Sequence, residues 1–184
     1  MRKLIQQYAK DLTAGRLASG YEHSYRLYRL ARQIGENLDY DDEVLHAACF
    51  LHDLDLVARH PETSAEKAKS ILEETGFTPG KIQAVYLAIL NHMPGKEQDG
   101  QAVETKLLHD ANLLDTLGAI GFARLAIGSF FWFHYKTMEE VLDLLRQWRG
   151  YADCFYFPTS RDMAGPKIAF LDRAIEQLSS ELNL

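Results

Sequence analysis

The chain has 184 residues, 47% of them hydrophobic and 25% charged, with a formal net charge of -6. That length supports one full hydrophobic core and would cramp a second, so a single domain over 1–184 is expected, while the acidic balance excludes a broad nucleic-acid surface, which needs a basic stripe. The two cysteines, Cys49 and Cys154, lie far apart, form no metal-spacing motif and point to a reduced, cytoplasmic setting.

Apolar residues recur with a period near 3.6 along almost the whole chain, and no segment alternates as a half-buried strand would. The expected fold class is therefore all-α, one compact helical domain. The opening MRKLIQQYAKDL reads as a helix over about 2–13, and its internal charges argue against a signal peptide. In YEHSYRLYRLARQIG, a helix over about 21–38, Leu27, Leu30, Ala31 and Ile34 form one face and His23 lies on it. DDEVLHAACFLHDLD reads as a helix over about 41–54, opened by acids suited to a positive N-terminus. Its stripe runs Val44, Leu45, Ala48 and Leu51 and ends on His52, with Asp53 adjacent.

A helix over about 62–76 stops at Gly76, and Pro79 sits where a first-turn proline is tolerated, opening a helix over about 79–92. Ile82, Val85 and Ile89 lead along that helix to His92. The stretch MPGKEQDGQ that follows is the clearest loop, read as an ordinary helix connection, with a lid as the alternative. In AVETKLLHDANLLDTLG, a helix over about 102–116, the stripe Val103, Leu107, Leu114 and Leu117 has Asp110 where a core residue belongs. Helices over about 119–134, 137–150 and 161–182 complete the chain. Its most apolar window, LAIGSFFWF, is far short of the ~20 residues of a membrane span. The last third is rich in aromatics, among them Phe130, Phe131, Trp132, Phe133, Trp148 and Phe155, read as core packing, with a nucleobase wall or a dimer surface as alternatives.

A lone imidazole or carboxylate on a core-facing stripe costs several kcal/mol if it is left unpaired. His23, His52, Asp53 and Asp110 carry that cost from three separate helical runs, and a shared cation is the simplest compensation. Two imidazoles and two carboxylates make a mixed nitrogen–oxygen set. That set suits one divalent transition metal ion (Mn²⁺, Fe²⁺, Co²⁺, Ni²⁺ or Zn²⁺) better than Ca²⁺, and it also admits Mg²⁺. Four protein ligands on a six-coordinate ion leave room for water and a substrate oxygen, which is the arrangement of metal-assisted hydrolysis. His52 and Asp53 diverge by about 100° on a helix, so they share a cation only near a helix end or in the groove between side chains.

The ordered set His23, His52–Asp53 and Asp110 resembles the HD-domain superfamily of metal-dependent phosphohydrolases. EHSYRLYRLA is similar to the family's opening helix, ACFLHDLD to its doublet helix, and LLHDANLLDTLGAIGFAR to a segment of a small bacterial subgroup that includes nucleotide pyrophosphatases. The resemblance covers roughly residues 15 to 130, with the helices over about 131–184 completing the fold. It implies His23, His52, Asp53 and Asp110 as metal ligands, and a small phosphorylated substrate, a nucleotide, as the partner. Arg26 and His92 are implied in substrate binding and in catalysis, Asp55 in orienting the attacking water, and Arg124 in substrate binding. Asp115 reads as structural, holding the turn before Gly118, and Gly118 and Gly121 as close-packing residues.

The function so implied is a phosphatase or pyrophosphatase using metal-activated water. Two alternatives stay open: an HD-fold di-iron oxygenase drawing on His60 and His92, and a non-catalytic metal-binding sensor module. No membrane association is expected, and a homo-oligomer is left open.

Overall fold

The computed structural model describes residues 1–55, 61–95, 100–131 and 134–183, so His60, Trp132, Phe133 and much of the loop after His92 lie outside the described residues. Among those described, the structure is all-α, as the periodicity predicts. The helices are α1 (Arg2–Leu12), α2 (Tyr21–Ile34), α3 (Asp42–Leu51), α4 (Glu62–Glu74), α5 (Pro79–Leu90), α6 (Val103–Asp115), α7 (Gly118–Phe131), α8 (Met138–Gly150) and α9 (Pro158–Leu182), with a short 3₁₀ turn at Tyr151–Asp153. They divide into two compact units, Met1–Asn112 and Leu113–Leu184, with the boundary inside α6.

In the first unit α3 is the hub, packing against α1, α2, α4 and α5. Its eight residues from Val44 to Leu51 are all buried. The sequence shows a stripe there, but Ala47, Ala48 and Cys49 are small enough for neighbours to close over every side, and a helix covered all round is a core helix. Each fully buried large side chain, such as Leu45, Phe50 or Leu51, contributes about 1.5–3 kcal/mol by leaving water. Burial pushes the Cys49 thiol up, so it stays an inert thiol.

Side-chain caps open α3, α5 and α8. The Asp41 carboxylate accepts the amides of Glu43 (2.9 Å) and Val44 (3.2 Å), satisfying donors that α3 cannot pair internally. Burial pushes the Asp41 carboxyl up, but Lys81 and those two amides outweigh it and hold it below its usual range. Thr78 caps α5 ahead of Pro79, and Thr137 with Glu140 forms a capping box on α8. Several expected boundaries move. α2 stops at Ile34, where Gly35 takes the cap position, and α3 stops at Leu51. α9 starts three residues before the expected 161, because Pro158 is pre-set for the first helical position.

His46, also on α3, is 1% exposed, with its ring 5.0 Å from that of Tyr28 and 4.7 Å from that of Phe50. Burial, aided by the Arg2 charge and opposed by Asp42, lowers its pKa to about 4. The unfolded chain therefore takes up a proton near pH 6.5 that the folded chain refuses until about pH 4. Stability is expected to be unaffected by this group above pH 6.5 and to fall progressively between 6.5 and 4. Melting curves across that window should show a shallower decline in a folded His46→Gln variant; an identical slope would exclude His46 as a contributor.

The second unit holds α7, α8 and α9 against one another, with Leu125, Leu142, Leu144, Leu145, Phe155, Ala164 and Leu171 buried. The aromatic core reading holds for Phe155 and fails at the end of α7, where Phe130 and Phe131 are 67% and 66% exposed. Both lie past Ser129, the last buried residue of that helix, and their rings contact each other edge to face. Among the described residues no single helix is long and apolar enough to cross a membrane.

Candidate metal centre

Gly20 is the N-cap of α2 and its carbonyl accepts the amides of His23 (3.0 Å) and Ser24 (3.3 Å), so His23 lies in the first turn. α3 delivers the other two side chains at its far end. His52 is its C-cap and Asp53 falls in the turn beyond, which releases Asp53 from the 100° offset of adjacent helical residues. His23 Nε2 is 3.1 Å from His52 Nε2, and Asp53 Oδ2 is 3.6 Å from the first and 3.3 Å from the second. Among the described residues these three form a group whose donor atoms all lie within 4.8 Å of one another. His23 is 1%, His52 0% and Asp53 8% exposed.

The tautomer of His52 is constrained. Its Nδ1 lies 3.0 Å from the Cys49 carbonyl, which can only accept, so Nδ1 donates. In the neutral ring Nε2 then carries a lone pair aimed at a second imidazole nitrogen and a carboxylate oxygen. A cation between them would be held by that lone pair, the His23 nitrogen and the Asp53 carboxylate, so the donor set fits a divalent metal, with the Cys49 carbonyl orienting one ligand from behind.

Asp110, fully buried on α6, is not a member of that three-residue group; its Oδ1 accepts from His109 Nδ1 at 2.9 Å. His109, itself 1% exposed, thus orients the carboxylate that follows it. His92 follows α5 directly, is fully buried, and donates from Nδ1 to the Ile89 carbonyl (2.6 Å). Its ring centroid lies 5.2 Å from that of His52, nearly perpendicular, which brings it beside the cluster. Arg26 stands half-buried on α2, three residues after His23.

The Asp55 carboxylate pairs with Lys67 at 2.6 Å, and its backbone is clamped by Ser64 Oγ, which accepts from the Asp55 amide and donates to the Asp55 carbonyl, both at 3.0 Å. In the second unit Arg124, 9% exposed, donates from Nη1 to the Asp115 carboxylate (3.1 Å) and to the Asp115 carbonyl (3.0 Å). That pair ties down the end of α6 ahead of the Gly118 turn. Sequence reasoning passed over His109, Ser64, Lys67 and Arg16. Only His109, next to a stripe carboxylate, carried a local signal; the others act on residues at least nine positions away.

The HD domain family matches this chain over residues 20–119. Among curated proteins, none matches it. Solved structures share the fold across nearly the whole chain. A Lactobacillus plantarum protein is 20% identical with a TM-score of 0.82, covering 99% of this chain and 96% of its own. Bacillus subtilis YpgQ, solved in complex with ADP, is 22% identical with a TM-score of 0.75, covering 98% and 97%. An HD-superfamily hydrolase from Bacillus thuringiensis is 22% identical with a TM-score of 0.73, covering 99% and 96%. At these identities the likeness is one of fold.

Proposed function

Since this chain belongs to the HD domain family, we propose that it is a metal-dependent phosphohydrolase acting on a small phosphate ester or anhydride, a nucleotide by preference. The observation that carries this reading is the convergence of His23 Nε2, His52 Nε2 and Asp53 Oδ2 within 4.8 Å of one another. With Asp110 as a fourth ligand, these residues would hold one Mn²⁺, Fe²⁺, Co²⁺, Ni²⁺, Zn²⁺ or Mg²⁺ ion. A divalent ion so held polarises a phosphoryl oxygen and lowers the pKa of a water.

The other residues bind and move protons. Arg26 offers a planar fork suited to phosphate oxygens. His92 commits its Nδ1 proton to Ile89, so its chemistry with substrate belongs to Nε2, which donates to a phosphate or to the departing oxygen when protonated. Asp55, whose carboxylate pairs with Lys67, orients the attacking water. The ADP in the structure of Bacillus subtilis YpgQ supports a nucleotide as the ligand class here.

The test is phosphate and pyrophosphate release by chelator-stripped protein, resupplied with Mn²⁺, Mg²⁺, Co²⁺, Ni²⁺ or Zn²⁺. The substrates are nucleoside mono- and triphosphates and a chromogenic ester. Metal-dependent release is expected, whereas silence across the panel with metal bound would reject the hydrolase. The nearness of His92 to His52 favours one second reading, a two-metal oxygenase, which predicts two metals per chain and oxygen consumption.

A further inference from the structure

Between α1 and α2 the chain turns, and Arg16 stands half-buried in that turn. Its guanidinium donates from Nη1 to the Asp53 carbonyl (2.8 Å) and from Nη2 to the Leu54 carbonyl (3.2 Å). Both acceptors follow the end of α3, where carbonyls run out of intrahelical partners. A rigid planar fork holds two neighbouring carbonyls at once, which a flexible ammonium cannot.

The Arg16 backbone is anchored as well. Its amide donates to the Thr13 carbonyl at 3.1 Å. Gly20 lies so close that a Cβ there would stand 2.3 Å from the Arg16 carbonyl oxygen. Gly20 is also the residue whose carbonyl opens α2 by accepting the amides of His23 and Ser24. Arg16 therefore abuts, through its backbone, the start of the helix carrying His23, and grips with its side chain the turn carrying Asp53.

We propose that Arg16 is a positioning residue for the metal centre. It sets the 53–54 turn against the first turn of α2, so that His23 Nε2 and Asp53 Oδ2 stay 3.6 Å apart and share one cation. The inference rests on the metal-binding reading given above. Its electrostatic sign is distinctive. A guanidinium near a cation repels it, so if charge were its whole effect, removing Arg16 would tighten metal binding. Loss of positioning weakens binding instead. Lysine keeps the charge and loses the fork, which separates the two effects.

The experiment is calorimetric titration of Mn²⁺ into the chelator-stripped full chain, comparing the unaltered protein with Arg16→Ala and Arg16→Lys. Metal-free melting and the Mn²⁺ EPR line shape are recorded alongside. Both variants are expected to bind Mn²⁺ about 10- to 100-fold more weakly, the range for lost support behind metal ligands, with altered line shapes. Lysine at wild-type affinity with alanine tighter would mean that Arg16 acts by charge alone, overturning the proposal. Equal affinities in all three proteins would overturn it too. If Arg16→Ala fails to fold, Arg16→Lys and Arg16→Gln decide by the same criterion. An unaltered chain that takes up no Mn²⁺ would instead refute the metal centre itself, and the positioning role with it.

Discussion

Asp53→Ala is expected to abolish metal binding and lower turnover by about 10³-fold or more, since a catalytic metal contributes several kcal/mol to transition-state stabilisation. Asp53 supplies the single carboxylate among the three clustered donors; the other two are imidazoles that carry no charge when they act as ligands. It lies past the end of α3, and Arg16 holds its turn through the Asp53 carbonyl. Removing the carboxylate should therefore leave the helices intact, which far-UV circular dichroism would verify. Metal titration and substrate turnover on the same folded sample then decide. Full activity in a folded Asp53→Ala protein would refute the hydrolytic scheme, and Asp53→Asn, which keeps the shape and loses the charge, should fail nearly as badly.

The largest effect on stability is expected from Gly121→Ala. A Cβ at Gly121 would stand 2.0 Å from the Thr116 carbonyl carbon and 2.1 Å from its oxygen, both backbone atoms that no side-chain rotation relieves. Gly118, at φ +72, makes the turn that lets α7 fold back so tightly. The added methyl must displace the turn or the helix start, and overpacking of this kind costs roughly 3 kcal/mol. For a chain of this size that lowers the melting temperature by about 6–12 °C. An unshifted melting curve would show that the turn relaxes freely and that glycine is not required there.

Much of the helical architecture was legible because its signals are local. The acids that open α3, Gly76 after α4 and Pro79 in the first turn of α5 mark helix ends within a few residues of where they act. The boundaries that moved show the limit of periodicity. It carried α3 on to about 54, whereas the helix ends at Leu51, and that ending lets His52 and Asp53 face the same point. The core reading of the aromatic run failed at Phe130 and Phe131 because hydrophobicity records what could be buried, not whether any partner reaches it.

What the sequence by itself determined is the all-α class, the helix order and the polar residues standing on apolar stripes, since helix periodicity and capping depend on residues three or four apart. Only the tertiary structure decided which of those residues meet. His23 reaches His52 across 29 positions, and Arg16 reaches Asp53 across 37. Contacts of that span follow from how α2 and the turn before it dock on α3, a packing outcome distributed over the whole core, and no short run of residues encodes it.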